Sequence, residues 1–388
     1  MKPKLRFKNF NNEWEEIELR NIASEIAYGM NSASKEYDGE NKYIRITDID
    51  ENSNRYSNKD VVSPDGILED RFLVKENDIL FARTGASTGK TYLYNSNDGK
   101  LYYAGFLIKA SIINHNSNFI FQQTKLNKYN NWIKIMSMRS GQPGINSQEY
   151  GSYRFSITNI DEENKVSNFL SLIDKKIELQ SKKIEDLKLF KMSTLDKYFN
   201  KDTCKEKALL KKYCSCLTGK SKADKVDING NYYIMDMGTV NSDGNILKTK
   251  PTFCNLDLLS YGDLVMPKDD IGGGLIIGKT GFIDEDNKYV LGDHVYLLKV
   301  NDINSLFLHY QINSKYINKQ LKRKVTGSAQ LGLKSDNILN QEIYIYSEEE
   351  QKKIANIFKL IDRKIELETE KIFKLINLKK GLMQNMFV

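Results

Sequence analysis

The chain is short of the residues on which many enzymes and secreted proteins are built. It has five prolines, three histidines and four cysteines in 388 residues. Cys204, Cys214, Cys216 and Cys254 all fall in the second half. Cys214-x-Cys216 lacks zinc-finger spacing and has no histidine nearby, so reduced thiols are expected rather than a metal site. His115, His294 and His309 show no ligand spacing, which leaves a histidine-based general base without a constellation. Pro3, Pro64, Pro143, Pro251 and Pro267 exclude the Asn/Asp-Pro-Pro-aromatic motif of amino-methyltransferases, and no Glu-x-Lys follows Pro64-Asp65 as in a nuclease strand. No run of 18 apolar residues exists, which excludes a membrane-spanning helix. The first residues, Met1-Lys2-Pro3-Lys4-Leu5-Arg6, lack the apolar stretch of a secretory signal, so a cytoplasmic location is expected.

What is present is a repeat. Ile173-Asp174-Lys175-Lys176-Ile177-Glu178-Leu179 returns 188 positions later as Ile361-Asp362-Arg363-Lys364-Ile365-Glu366-Leu367, and 15 of 39 residues are identical between 161–199 and 349–387. Two half-length units in tandem follow, each closing with the same helix. Val166, Leu170, Ile173, Ile177, Gln180, Ile184, Leu187, Lys191, Thr194 and Tyr198 fall at 4-3 spacing. Ile354, Phe358, Ile361, Ile365, Glu368, Ile372, Leu375, Lys379, Leu382 and Met386 repeat it. A 3.5-residue period sustained over about five heptads predicts a coiled coil. Asn159-x-x-Glu162 and Ser347-x-x-Glu350 open the helices with capping patterns. At about 1.5 Å per residue each makes a rod of roughly 57 Å. The two pair most simply with each other, antiparallel, which gives domain bounds of 1–158, 159–200, 201–345 and 346–388 and a linker at 200–207.

Net charge is +7, and its distribution says more than its total. Residues 116–147 hold Lys125, Lys128, Lys134 and Arg139 with no acid. Residues 304–335, at the same offset, hold Lys315, Lys319, Lys322, Arg323, Lys324 and Lys334, again with no acid. Duplicate surfaces free of carboxylates, in a chain with 51 of them, suit a polyanion. Each window reads as a helix, Phe119 to Met136 in the first, ending in a glycine-rich loop. Ser140, Gln142, Gly144 and Ser147 of the first loop recur as Ser328, Gln330, Gly332 and Ser335.

Alternation predicts strands at Tyr43–Ile49, Asp78–Arg83, Thr91–Tyr94 and Tyr103–Ile113. Tyr232–Met237 stands where Ile44–Ile49 stood, Gly262–Met266 matches Asn77–Phe81, and Tyr296–Val300 matches the strand before the basic helix. Gly273-Gly274-Leu275-Ile276-Ile277-Gly278-Lys279-Thr280 fits G-x-x-x-x-G-K-[ST]. Its apolar interior belongs in a strand and no helix start follows, so a β-turn-β element is expected in place of a phosphate loop. The related turn Thr84-Gly85-Ala86-Ser87-Thr88-Gly89-Lys90 puts Arg83, Thr84, Ser87 and Lys90 beside glycines that let backbone approach a ligand.

The chain resembles the specificity subunits of type I restriction-modification systems over nearly all its length. The resemblance is carried by Asp78-Ile79-Leu80-Phe81-Ala82-Arg83-Thr84-Gly85, by Ser140-Gly141-Gln142-Pro143-Gly144-Ile145-Asn146, and by the duplicated Leu-Ile-Asp-Lys/Arg-Lys-Ile-Glu-Leu helices. The second half departs from the first two motifs, with Met266-Pro267-Lys268 and no proline. The resemblance implies an α+β architecture. Two tandem mixed α/β target recognition domains are each followed by a long helix, and the helices pair as an antiparallel coiled coil with pseudo-twofold symmetry. It implies a non-catalytic subunit whose halves each read one part of a split, asymmetric site in double-stranded DNA, with the helices setting the spacer. Two methyltransferase (modification) subunits would carry S-adenosylmethionine, and restriction/translocase subunits would carry ATP use. No cofactor, metal or catalytic residue is expected on this chain. Lys125, Lys128, Lys134, Lys315, Lys319, Lys322, Arg323 and Lys324 are then expected on phosphates. Arg83, Arg139, Gln142, Asn146, Lys268, Gln330 and Lys334 are expected on base edges. Arg139→Ala would relax preference at one half-site only. The alternatives are a self-contained nuclease or methyltransferase with duplicated domains, which needs a carboxylate cluster or cofactor loop in both halves, and a structural coiled-coil scaffold.

Overall fold

The computed structural model describes residues 1–51, 53–138, 144–202, 205–271, 273–327 and 331–388. They divide into two compact units, Met1–Leu179 with Ile372–Val388, and Gln180–Lys371. Each long helix gives part of its length to both. No described helix is long and apolar enough to cross a membrane.

The first unit is built on an antiparallel sheet in which Leu107–Ile112 lies between Ala23–Tyr28 and Asp78–Ala82, with Thr91–Leu93 beyond. Asp78–Ala82 is buried throughout because both of its faces are covered. Ile79 and Phe81 join Phe119, Tyr150 and Phe155 in one core, to which the long helices add Val166, Leu170, Met383 and Met386. Leu80 and Ala82, one residue out of phase, join Tyr92, Leu101 and Tyr103 in another. The second unit repeats the order, with Val295–Val300 between Cys214–Thr218 and Leu264–Pro267 and Gly281–Phe282 outside. A short parallel pair accompanies each sheet, Lys42–Ile44 with Leu101–Tyr103 and Tyr232–Met235 with Tyr289–Leu291.

Side-chain hydrogen bonds to the backbone recur with the fold. Asn116 Oδ1 accepts from the Phe119 amide at 2.9 Å, and Asn304 Oδ1 from Phe307 at 2.8 Å, starting the same helix twice. Gln123 donates to the Ser156 carbonyl and accepts from its amide at 2.7 and 2.9 Å. Gln311 does the same to Tyr344 at 3.0 and 3.1 Å.

The long helices span Ile160–Tyr198 and Glu348–Met386, 39 residues each. Every seam position expected from the 4-3 spacing is buried or half-buried. Within the second unit Gln180 meets Glu368 and Lys191 pairs with Asp362, so the partner numbers fall as the first rise and the pairing is antiparallel. Within the first unit Lys379 pairs with Asp174 at 2.6 Å. Gln180 and Glu368 are each other's counterparts at the offset of 188. An antiparallel pair of like helices brings counterparts together only at its midpoint, which places the midpoint here. The Glu368 carboxylate also receives Lys183 at 3.0 Å and Lys364 at 3.2 Å, and hydrogen bonds from Gln180 and Lys183 lower its pKa to about 2. A satisfied polar residue in a seam fixes register at some cost in stability.

Five local expectations need correcting. The strand placed at Tyr43–Ile49 ends at Ile44, because Asp48 accepts from the Arg45 amide and guanidinium at 2.8 Å and turns Ile46–Asp48 into a single helical turn. Its second-unit counterpart is accordingly Met235, not Tyr232. The strand Tyr103–Ile113 is two strands, Leu101–Tyr103 and Leu107–Ile112, separated by a turn. The helix Phe119–Met136 is two helices, Ser117–Gln123 and Asn127–Ser137, broken where Thr124 Oγ1 donates to the Phe121 carbonyl and meets Thr91 Oγ1. The capping box expected of Glu162 is half made: Asn159 caps its amide, but its carboxylate takes Arg6 and Trp14 instead.

Candidate nucleic-acid interface

In the first unit the central strand runs out at Arg83, where three loops meet. The Arg83 amide donates to the Phe106 carbonyl at 3.0 Å, and the Arg83 carbonyl accepts from Ile145 at 2.9 Å. Thr84 bridges to Gly144, which joins this strand end to the loop before the helix Ser147–Ser152. The guanidinium lies 4.7 Å from the centre of the Tyr28 ring, and the Tyr28 hydroxyl accepts from the Ser147 amide. The arginine is thus fixed in direction by a stacked ring and remains half-exposed. Asn146 beside it is exposed and spends its side-chain oxygen on the Glu149 amide as a helix cap.

The second unit builds the same junction with other side chains. The Lys268 amide donates to the His294 carbonyl and its own carbonyl accepts from Leu333, both at 3.0 Å. Asp269 pairs with Gly332 as Thr84 does with Gly144. The ammonium of Lys268 lies 5.0 Å from the Tyr296 ring centre and donates to the Asp293 carbonyl at 2.6 Å. Lys334 is exposed at the start of the helix Ser335–Leu339.

The profile of the type I restriction-modification DNA specificity domain matches residues 11–189 and 214–377, one copy in each half. This chain belongs to the type I restriction-modification specificity-subunit family. The MjaVIII type I restriction enzyme specificity subunit of Methanocaldococcus jannaschii is 25% identical over 348 residues, covering 82% of this chain and 80% of that one. Among solved structures, the S subunit from M. genitalium superposes with a TM-score of 0.65 at 16% identity, covering 100% of this chain and 99% of that one. A chain from a study of complex assembly and conformational transition in the type I system reaches 0.58 at 14% identity, covering 96% and 97%.

In this specificity subunit the basic helices lie beside the strand ends. Tyr129 donates to the Gly89 carbonyl at 3.2 Å, and a Cβ on Gly89 would sit 2.7 Å from Ile133. In the second unit Gly278 stands in the same way against Leu321, the counterpart of Ile133, at 3.2 Å. The last glycine of each turn is therefore spent on packing a helix, not on approach to a ligand.

The lysines on these helices differ in what they can offer. Lys134, Lys315, Lys319 and Arg323 are exposed and Lys322 half-exposed. Lys128 is exposed and pairs with Glu16. Lys125 turns back over the Phe121 ring, and burial lowers its pKa to about 8. Lys324 caps the Asn337 and Asn340 carbonyls, and burial lowers its pKa as well. In the glycine-rich turn Ser87 is half-exposed, while Lys90 pairs with Glu51 at 3.1 Å and donates to the Ile49 carbonyl. Arg139, Gln142 and Gln330, and with Arg139 its substitution test, lie outside the described residues.

The segment matching a phosphate loop holds no helix start. Leu275, Ile276 and Ile277 form bends and turns rather than the expected strand, and Gly281–Phe282 is the strand that follows. The Ile276 and Ile277 amides are held by Asp270 Oδ2, and Lys279 donates to the Asn313 carbonyl. The donors a phosphate would need are used internally. Among the described residues Asp236, Asp293 and His294 bring potential metal ligands within 4.8 Å of one another. Lys250 already neutralises Asp236 at 2.7 Å, and Asp269 takes the His294 ring. Sequence patterning pointed to Arg83 and Lys268 but missed their neighbours Tyr28, Phe106, Tyr296 and His294. Those neighbours are set by strand pairing, and only the recurrence of Leu107–Ile112 as Val295–Val300 hinted at them.

Proposed function

We propose that this specificity subunit is the non-catalytic reader of its complex, each unit recognising one part of a bipartite, asymmetric DNA site while the helices set the spacer. The observation that carries the reading is the duplicated junction: two strand ends with the same main-chain hydrogen bonds present Arg83 with Tyr28 in one unit and Lys268 with Tyr296 in the other. Arginine and lysine match the O6 and N7 edge of guanine, and the exposed cations of the flanking helices match phosphates. A single frame carrying different side chains suits two different half-sites.

The helices also offer a surface for partner subunits. Leu172, Leu179 and Phe190 recur at the offset of 188 as Leu360, Leu367 and Leu378, and all six are exposed. Repeated large apolar side chains outside the seam are the mark of a further interface. Two modification subunits dock there, bringing S-adenosylmethionine, and restriction/translocase subunits join through the assembly with their ATP chemistry. The setting is the cytoplasm.

Selection of bound duplexes from random DNA by the assembled complex tests this. Two short defined tracts separated by a gap of fixed length and free sequence are expected, with no cleavage or methylation by the purified chain alone. A single uninterrupted tract, or activity from the chain alone, would favour the duplicated-enzyme alternative.

A further inference from the structure

Beside Arg83 and Lys268 lies a turn whose backbone is held alike in both units and whose presented side chain is not. In the first unit the turn runs from Ala104 to Leu107. Gly29 packs under it so tightly that a Cβ there would lie 2.2 Å from the Ala104 carbonyl oxygen. In the second unit the turn runs from Gly292 to Val295, and a Cβ on Gly219 would lie 2.5 Å from the Gly292 carbonyl oxygen. Each turn accepts a hydrogen bond from the basic residue, Phe106 from Arg83 and His294 from Lys268. A frame fixed from below and from the side leaves one freedom, the identity of the residue on top. That residue is Phe106, with 63% of its surface exposed, or His294, whose side chain is 42% exposed. A phenylalanine so exposed beside a stacked arginine has no part in any of the three apolar clusters of its unit.

We propose that Phe106 and His294 are specificity-determining residues, each facing a base pair of the half-site that its own unit reads. The proposal rests on the DNA-reading role argued above. Phe106 gives an apolar surface suited to a thymine methyl group or to a base step partly opened beside it. His294 gives a group whose hydrogen-bonding sense depends on its proton. Its Nδ1 lies 3.0 Å from Asp269 Oδ2, which fixes the Nδ1–H toward the carboxylate. The other ring nitrogen is then an acceptor when neutral and a donor when protonated. As a donor it matches guanine O6 or N7; as an acceptor it matches the amino groups of cytosine or adenine.

The groups around His294 favour the proton. Asp269 faces it from the strand end, Asp293 adjoins it, and Asp236 accepts from its amide at 3.2 Å. Lys268 is drawn to the Asp293 carbonyl and Lys250 to Asp236, so neither cation is turned on the ring. The hydrogen bond to Asp269 raises the histidine's pKa against a smaller opposing effect of burial, with Asp236 and Asp293 adding to the rise. The folded pKa lies above the unfolded one, so the protonated form persists to higher pH than in an unfolded chain and is lost as pH rises through the raised value.

The test is selection of bound sites by the complex assembled on the full-length chain, at about pH 6 and about pH 9, on either side of the ordinary histidine value. Phe106→Ala is expected to change preference about fivefold or more at one base pair of one half-site. His294→Gln is expected to abolish a pH-dependent preference at one base pair of the other half-site. Preferences unchanged within about twofold in both variants, or both effects falling on the same half-site, would overturn the proposal. A parent complex with no sequence preference would instead sink the DNA-reading role, a separable result. Unchanged melting of both variants, expected for exposed side chains, guards against misfolding.

Discussion

Gly29 and Gly219 serve the two units in the same way, each packed against a turn that no larger residue would allow, whereas Phe106 and His294 on those turns have nothing chemical in common. The contrast holds through both units. Asn116 and Asn304 cap the same helix, and Gln123 and Gln311 tie it to the same strand position. Where side chains meet solvent the units part. Glu162 is wholly buried, bound by Arg6 through two 2.7 Å hydrogen bonds and by Trp14 at 3.2 Å. Its counterpart Glu350 is half-exposed and held by Lys205 and Ser347. Burial forbids change in groups whose partners are already satisfied, since a lost partner leaves an unpaired polar group. Exposed positions carry no such penalty and are free to diverge toward different ligands.

Gly29→Val and Gly219→Val attack the shared frame. Each should cost about 4 kcal/mol or prevent folding, because a branched side chain at these distances must displace backbone. Urea titration checks it, and tolerance of only one substitution would break the equivalence of the two turns. Arg6→Ala tests the divergence at Glu162. Removing the partner of a buried carboxylate should cost about 3 kcal/mol, whereas Lys205→Ala beside half-exposed Glu350 should cost at most about 1 kcal/mol.

The pH dependence of Arg6→Ala has a definite sign. Burial pushes the Glu162 pKa up, but the hydrogen bonds from Arg6 and Thr158 outweigh it and the folded value ends lowered. The stability it contributes is present above the ordinary carboxylate range and is lost as pH falls through the lowered value. The parent should therefore lose more stability than the variant on acidification, as read by melting at several pH values.

The smallest effects belong to the lysines. Lys319→Ala in the assembled complex should reduce the slope of log affinity against log salt by about 0.9, the signature of one phosphate contact. Lys125→Ala, whose ammonium lies against Phe121, should change it little. Equal changes in fluorescence-anisotropy titrations would mean that burial does not sort these residues.

The repeat, the seam and the order of strands were legible because each leaves a periodic trace. The polar positions within the seam find partners across it, Gln180 with Glu368, Lys191 with Asp362 and Lys379 with Asp174. Helix and strand ends were less legible. Thr124 breaks the basic helix by bonding to Thr91, more than 30 residues away, and Arg45 ends a strand with its own side chain on Asp48. Arg83 and Lys268 stood out as basic residues closing apolar runs. Phe106 and His294 did not, because a turn is located by the pairing of strands on either side of it and not by its own composition. Lys125 looked like its neighbours in sequence, and only the packing of its stem turned it inward.

The reading of separate tracts of one duplex by two like units is what the proposed function stands on. Its most direct test lengthens the spacer. A heptad inserted into each long helix at facing seam positions adds about 10 Å of rod, close to three base pairs of duplex. Site selection with the lengthened chain in its complex should return the parent's two tracts unchanged, with the gap between them wider by about three base pairs. An unchanged gap with both tracts still selected would contradict the account.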